Sequence, residues 1–359
     1  MLELPIEAAY NNRHQGRDFF NTPWFLDCTY REGHMVRGKS CAWSFVWGHK
    51  STECFLIAAL FLIAPQLARG ANAPTVEIRA AEYEGRAHFR ISTPGAVWFY
   101  DRAGGGFSRV IDVDEADWIA FRKTPLSRFP DSAAAGFRGL GNLVFGRENP
   151  DAGAGHPGFD LCESEIVGPG VIRTVSLSGR WAWTWTFTET TARFEMERVD
   201  GARPWWFLYE GPVGGRWSPR THYWGVDLGG PYRDTPDNGS QRFGNWQWAY
   251  FGDVTSPRVF FIAQTVPDEL SDTLWYLGSA KGGALDSPDG MIVFGLGRGR
   301  GTAPQFRTAG QVIITGFIEQ AVLNSQDHAL VAARIAGLVK KDLSAGKQEA
   351  PQGILREAD

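Results

Sequence analysis

Residues 180–187 (RWAWTWTF) carry an aromatic ring at every second position. That period sets Trp181, Trp183, Trp185 and Phe187 on one face of an extended strand, with Arg180, Ala182, Thr184 and Thr186 on the other. A helix would scatter the four rings around its axis, so the stretch is a strand with one heavily aromatic side. Residues 191–199 (TARFEMERV) repeat the pattern, with Phe194 and Met196 opposite Arg193, Glu195 and Glu197. The three-residue link Thr188, Glu189, Thr190 has hairpin length. Further strand patterns fall at 76–81, 88–92, 97–100, 118–121, 172–176, 205–209, 246–250, 259–264, 291–295 and 311–318. Gly, Pro, Asp and Asn clusters separate them at 103–106, 147–155, 229–240 and 286–290. One clear helical pattern occurs, at 326–343, with Leu330, Val331, Ile335, Leu338 and Val339 on a common stripe. Many short strands without alternating helices predict an all-β chain: a large antiparallel β-sandwich with one C-terminal helix.

Three regions are expected along the chain. Residues 55–63 (FLIAALFLI) form an apolar run with Lys50 before it and small residues at 68–73 after it. Basic flank, short apolar core and small residues are the pattern of a secretory signal peptide. The run is shorter than the roughly 17–25 residues that a membrane-spanning helix needs. Residues 1–73 are therefore read as leader and signal peptide, with Met35 an alternative start. Residues 74–323 are read as the sandwich and 324–359 as helix and tail, leaving no membrane span in the mature chain. The expected location is secreted or periplasmic.

The chain has a net charge of −4, and residues 74–359 stay acidic. That balance points away from nucleic acid and from an anionic membrane surface as partner. Of four cysteines only Cys162 lies beyond residue 73, so the mature chain has no internal disulfide. A lone cysteine without a catalytic signature reads as a small buried side chain. The acidic run 112–117 lacks the glycine of a calcium loop, and residues 295–301 (GLGRGRG) lead to Pro304 instead of a helix, unlike a phosphate loop. No metal site and no cofactor is expected.

Chemistry concentrates in residues 205–234. Twelve of the fifteen tryptophans lie after residue 73, many of them there and at 181–185 and 246–248. Indole faces accept the C–H side of a sugar ring, and the 181–185 stripe has a second reading as core between two sheets. Trp217, Trp224, Tyr232 and Trp248 are candidate sugar platforms, with His156 and Glu165 as polar neighbours. His222 as base, Tyr223 or Tyr232 as acid and Arg220 or Arg233 as carboxylate neutraliser, with Asp227 nearby, supply what β-elimination from a uronic acid requires. An extended 220–224 segment would turn Tyr223 away from Arg220 and His222. Glu210 ends an almost wholly apolar strand and is the first carboxyl for a hydrolase, with Glu165 or Asp227 as its partner. Glu195 and Glu197 share a strand face with Arg193 and read as an exposed charged stripe.

Several strings also resemble a family of secreted bacterial β-proteins with no assigned activity: residues 137–145 (FRGLGNLVF), 155–159 (GHPGF), 206–211 (WFLYEG), 244–248 (GNWQW) and 289–295 (DGMIVFG). The resemblance covers about residues 80–320. It implies a layout similar to the supersandwich of galactose mutarotase-like domains and many polysaccharide lyases, and transfers no catalytic residue. The expectation is a secreted carbohydrate-active protein that cleaves a poly- or oligosaccharide by lyase or hydrolase chemistry. A glycan-binding module and a structural envelope protein are the alternatives.

Overall fold

The computed structural model describes residues 76–122, 138–146, 148–211, 213–215, 217–218, 220–234, 241–276 and 290–348. The expected leader and signal peptide lie outside the described residues.

Two nine-stranded antiparallel sheets dominate the described residues. Sheet I runs, edge to edge, through β1 (Glu77–Tyr83), β2 (Arg86–Ser92), β3 (Ala96–Asp101), β4 (Gly106–Asp112), β5 (Gly139–Asn142), β10 (Phe207–Glu210), β17 (Ile292–Leu296), β16 (Asp272–Tyr276) and β13 (Gln241–Gly244). Sheet II runs through β12 (Gly229–Tyr232), β11 (His222–Val226), β14 (Trp248–Asp253), β15 (Val259–Gln264), β20 (Val312–Ile318), β9 (Thr191–Arg198), β8 (Ala182–Phe187), β7 (Val171–Ser176) and β6 (Cys162–Gly168). A short hairpin of β18 (Arg298–Gly299) and β19 (Ala303–Pro304) follows β17, and the helix α1 spans Ser325–Gln348. The expected all-β sandwich with one C-terminal helix is what forms. The 118–121 segment is not a strand: it lies beside β4, held by Trp118 N–H on the Val110 carbonyl, and Ala120 adopts φ 58.

The period-2 patterns decide which face is buried. Trp181, Trp183, Trp185 and Phe194 of sheet II meet Trp98, Tyr100 and Phe107 of sheet I in the core between the sheets. Phe107 sits edge-on to Trp185, with ring centroids 4.7 Å apart. The Trp181–Trp185 stripe is thus core and offers no sugar platform. Two of its indole N–H groups are used there, Trp183 on Tyr100 Oη and Trp181 on Asp151. Opposite them, Arg193 pairs with Glu195 and Arg173 with Glu197, the expected charged stripe.

A second apolar layer lies on the outer side of sheet II, where Val331, Ile335 and Val339 of α1 cover Tyr223, Trp248, Tyr250, Val259 and Phe261. The outer side of sheet I carries a smaller buried cluster of Trp206, Leu208, Met291 and Val293. Among the described residues, no helix is long and apolar enough to cross a membrane.

Candidate functional site

The outer face of sheet I is where polar and aromatic groups converge. Along residues 205–210, Trp205, Phe207 and Tyr209 turn into the core, so Trp206, Leu208 and Glu210 must face outward. Strand register then sets their neighbours. Glu210 lies opposite Val293, Val293 opposite Trp275, and Trp275 opposite Gln241. The next row is Asn142, Leu208, Gly295, Thr273 and Phe243. Directly paired residues of an antiparallel sheet share a face, so both rows belong to one surface.

Glu210 is only 4 % exposed, and its Oε2 accepts a hydrogen bond from Asn142 Nδ2 at 3.1 Å. The same Oε2 lies 3.1 Å from Nε2 of His156, which is fully buried. His156 Nδ1 is 2.8 Å from the Pro157 carbonyl oxygen, an atom that can only accept, so Nδ1 carries a hydrogen. A hydrogen bond between Nε2 and Oε2 therefore needs one further proton, on the ring or on the carboxyl. One oxygen of Glu210 is occupied by this pairing, and Oε1 has no hydrogen-bond partner among the described residues.

On the same face, the hairpin of β18 and β19 brings Arg298 over Gly295. Gly295 makes room: a Cβ there would lie 2.9 Å from Arg298 Cβ and 2.6 Å from Leu208 Cδ2. The guanidinium sits 5.1 Å from the Trp206 ring and 5.6 Å from the Trp275 ring, within cation–π range of both. Two neighbours on β16 fix the backbone of this hairpin. Asp272 Oδ1 accepts from Gly297 N–H at 2.8 Å, and Thr273 Oγ1 donates to the Arg298 carbonyl at 2.6 Å. The indole N–H groups of Trp206 and Trp275 are buried and have no acceptor among the described residues. Buried indole donors normally find one, and leaving them unpaired costs about 1–3 kcal/mol each. Phe145, partly exposed, lies against Trp206 with centroids 4.6 Å apart. This buried cluster thus combines a held carboxylate, a guanidinium near two indoles and two indole donors without acceptors among the described residues.

Of the residues expected from sequence, Glu210 and His156 meet here. The others lie elsewhere. His222 is on the inner side of β11, where Nε2 donates to Asp253 Oδ2 at 2.8 Å and Nδ1 accepts from Ser218 N–H at 2.9 Å. Burial pulls its pKa down to about 4, against the pull of Asp253 in the other direction. Both ring nitrogens are engaged, so His222 is a neutral structural imidazole and not a base facing a ligand. Tyr223 points to the opposite side of β11, beneath α1, and its hydroxyl accepts from Val322 N–H at 2.9 Å. The expected base and the first expected acid, Tyr223, therefore lie on opposite sides of sheet II, the consequence of an extended 222–226 segment, while the other expected acid, Tyr232, packs against Trp224 on the inner side. Arg233 stacks on Tyr223 at 5.7 Å, outside the sandwich, and Arg220 is exposed in the turn before β11.

The remaining platforms are packing groups. Trp248 lies beside His328 of α1, Trp217 packs edge-on to His222, and Trp224 packs against Tyr232 at 4.6 Å. Trp217, Trp224 and Trp248 are all buried. Asp227 is exposed in the β11–β12 turn, and Glu165 is exposed on the edge strand β6 of sheet II. Neither joins Glu210 on the outer face of sheet I, so the expected hydrolase pairs do not form. Glu165 instead lines an open cleft of about 670 Å³ with Arg86, Asp101, Asp160 and Arg173. Cys162 is buried and its thiol is pushed up to about 12, which removes it as a nucleophile. Among the described residues no group of three or more His, Cys, Asp or Glu is placed to hold a metal ion.

Sequence reasoning did not single out Asn142, Trp275 or Arg298 as site residues. The signal for Arg298 was residues 295–301, whose glycines serve close backbone and side-chain approach and not a phosphate loop.

No protein-family model matches the chain, and no curated protein matches it. Among solved structures, the protein HI1317 is similar over 67 % of this chain and 96 % of its own, at 10 % identity and a TM-score of 0.44. A galactose mutarotase-like protein from Lactobacillus casei is similar over 67 % of this chain and 100 % of its own, at 10 % identity and a TM-score of 0.39. The 4-alpha-glucanotransferase from Thermococcus litoralis is matched over 69 % of this chain and 40 % of its own length, at 10 % identity and a TM-score of 0.36.

Proposed function

We propose that this protein acts on a carbohydrate bound across the outer face of sheet I, with Glu210 as the group that moves a proton. The observation that carries the reading is the coincidence, on one face, of an oriented carboxylate with two buried indole donors that have no acceptor among the described residues. A sugar fits the rim of this cluster, where the exposed Phe145 presents a ring to a C–H face, while Trp206 and Glu210 lie buried beneath it. Asn142 and His156 hold Glu210 through Oε2, which leaves Oε1 for the substrate. Hydrolysis by paired carboxylates needs a second carboxyl within roughly 5–10 Å. Neither strand row supplies one, since Gly139, Val293, Trp275 and Gln241 accompany Glu210 and the neighbouring row has no acidic residue. Proton abstraction of the lyase kind fits this arrangement better. Export through the apolar segment at 55–63 is part of the same proposal.

The test is incubation of the full-length protein with neutral and uronic-acid polysaccharides, following unsaturated product by absorbance together with new reducing ends. Glu210→Gln should lower turnover about 10²–10⁴-fold while leaving glycan retention in place. Turnover unchanged in Glu210→Gln would remove Glu210 from the chemistry. Retention of a glycan without turnover by the unaltered protein would make this a binding module instead.

A further inference from the structure

We infer that the free edge of β6 takes an extended basic peptide as an added strand of sheet II. The inference goes beyond the carbohydrate reading and uses no residue of the Glu210 face. β6 ends its sheet, so one side of its backbone has no neighbouring strand. Leu177 N–H donates to the Leu161 carbonyl at 2.8 Å, and the antiparallel alternation then gives the bonds with β7 to Glu163 and Glu165. Cys162, Ser164 and Ile166 therefore turn their backbone groups to the edge. At Cys162 the edge is closed, because its N–H donates to the Ala103 carbonyl at 2.8 Å. Ser164 and Ile166 make no outward backbone bond among the described residues, and a bulge after Ile166 ends the run. The open cleft of about 670 Å³ gives access to this edge, since Glu163, Ser164 and Glu165 line it together with Arg86 and Arg102.

Side chains around the edge state what the added strand carries. Directly opposed residues of an antiparallel pair share a face, so residues placed opposite Glu163 and Glu165 meet those two carboxylates. Both are exposed, and neither forms an ion pair among the described residues. Arg173, across from Glu165, gives its Nε to Glu197 at 2.9 Å. On the other face Ile166 is 43 % exposed beside the buried Ile172, an apolar side chain that a neighbouring strand covers. Arg102 stands at the Cys162 end, where its carbonyl accepts from Ser164 Oγ at 2.8 Å. Its exposed guanidinium lies over Phe89 at 4.8 Å, without an ion pair among the described residues, and suits a terminal carboxylate. The fitting sequence, read antiparallel to β6, is therefore apolar, basic, small, basic, then carboxylate. A second copy of β6 fits poorly. Antiparallel pairing centred on Ser164 sets Glu163 of one copy against Glu165 of the other, like charge against like.

The test is calorimetric titration of the full-length protein with the acetylated peptide TIKSKA, bearing a free C-terminal carboxylate, and with its charge-reversed counterpart TIESEA. TIKSKA should bind about 10-fold more tightly or better, from two attractive cross-strand pairs in place of two repulsive ones. Glu163→Lys combined with Glu165→Lys should invert that preference. The serine of TIKSKA turns its N–H to β6, and the first lysine turns its N–H away. N-methylation at the serine should therefore weaken binding about 10-fold or more, and N-methylation at that lysine far less. A peptide held by charge alone does not distinguish the two, and both act on the unaltered protein. No binding of TIKSKA, equal binding of TIKSKA and TIESEA, or equal effects of the two N-methyl groups would overturn the inference. Dimerisation of the unaltered protein that blocks TIKSKA would make the occupant a second copy and overturn it likewise. None of these outcomes touches the Glu210 reading.

Discussion

Nε2 of His156 lies 3.1 Å from Oε2 of Glu210, while the other nitrogen of the same ring is committed to the Pro157 carbonyl. A fully buried imidazole and a nearly buried carboxyl are therefore in direct contact, with one ring nitrogen already engaged elsewhere. Groups in such contact are not independent, and their coupling is measurable by a double-mutant cycle. The cycle His156→Ala, Glu210→Gln, read by urea unfolding, should give a coupling of about 0.5–3 kcal/mol. Additive effects of the two substitutions would mean that the contact contributes nothing.

Gly295 tests the seat of Arg298. An alanine Cβ would stand 2.6 Å from Leu208 Cδ2 and 2.9 Å from Arg298 Cβ, so one of the two must move. Gly295→Ala should cost about 1–3 kcal/mol of stability, as overpacking does, and should weaken glycan binding by displacing the guanidinium from between Trp206 and Trp275. Gly337 in α1 is the control, since a Cβ there meets nothing within 4 Å. Gly337→Ala should raise stability by about 0.4–1 kcal/mol. Equal effects at the two sites would show that Gly295 makes no special room.

His222 gives a pH dependence of known sign. Its folded pKa is drawn down to about 4 by burial, below the unfolded value of 6.5. Between those values the unfolded chain holds a proton that the folded chain does not, so stability falls as pH drops from about 6.5 to about 4. The full loss is on the order of 3 kcal/mol. Asp253, whose carboxyl lies below its ordinary range through hydrogen bonds from Thr255 and Thr221, keeps its contribution until lower pH. His222→Gln should remove the slope in that window, measured as the urea midpoint at pH 7 and pH 4.5. A slope that survives the substitution would place its origin elsewhere.

The fold was legible because its signal is local. Alternation in 180–187 and 191–199 states which side of each strand is apolar, and burial follows directly. The site was legible only in part. Glu210 stood out as a carboxyl ending an apolar strand, and strand period alone turns it to the face of Trp206. What joins it to Trp275 and Arg298 is register between β10, β17 and β16, strands separated by up to eighty residues or more of chain. Composition cannot report register. The density of chemistry in 217–234 misled for a related reason: His222 and Trp224 are polar-edged groups whose partners, Asp253 and Ser218 for the first and Asp234 for the second, satisfy them internally.

Asp272 contributes a pH effect of the opposite sign, close to the proposed site. Its carboxyl is buried, and burial pushes its pKa up to about 8, against the hydrogen bonds it accepts from Trp246 and Gly297. The unfolded value is 3.8. Between the two the folded chain keeps a proton that the unfolded chain has lost, so stability falls as pH rises from about 4 to about 8, with a slope of at most about 1.4 kcal/mol per unit. Asp272→Asn carries no titrating group and should flatten the profile above about pH 5. Asp272→Ala removes the acceptor of Gly297 N–H, next to Arg298, and should also weaken glycan binding. Urea midpoints at pH 5 and pH 8 for the unaltered protein and Asp272→Asn decide the matter. A midpoint that rises with pH in the unaltered protein, or the same fall in Asp272→Asn, would show that the carboxyl is held ionised by its two backbone donors.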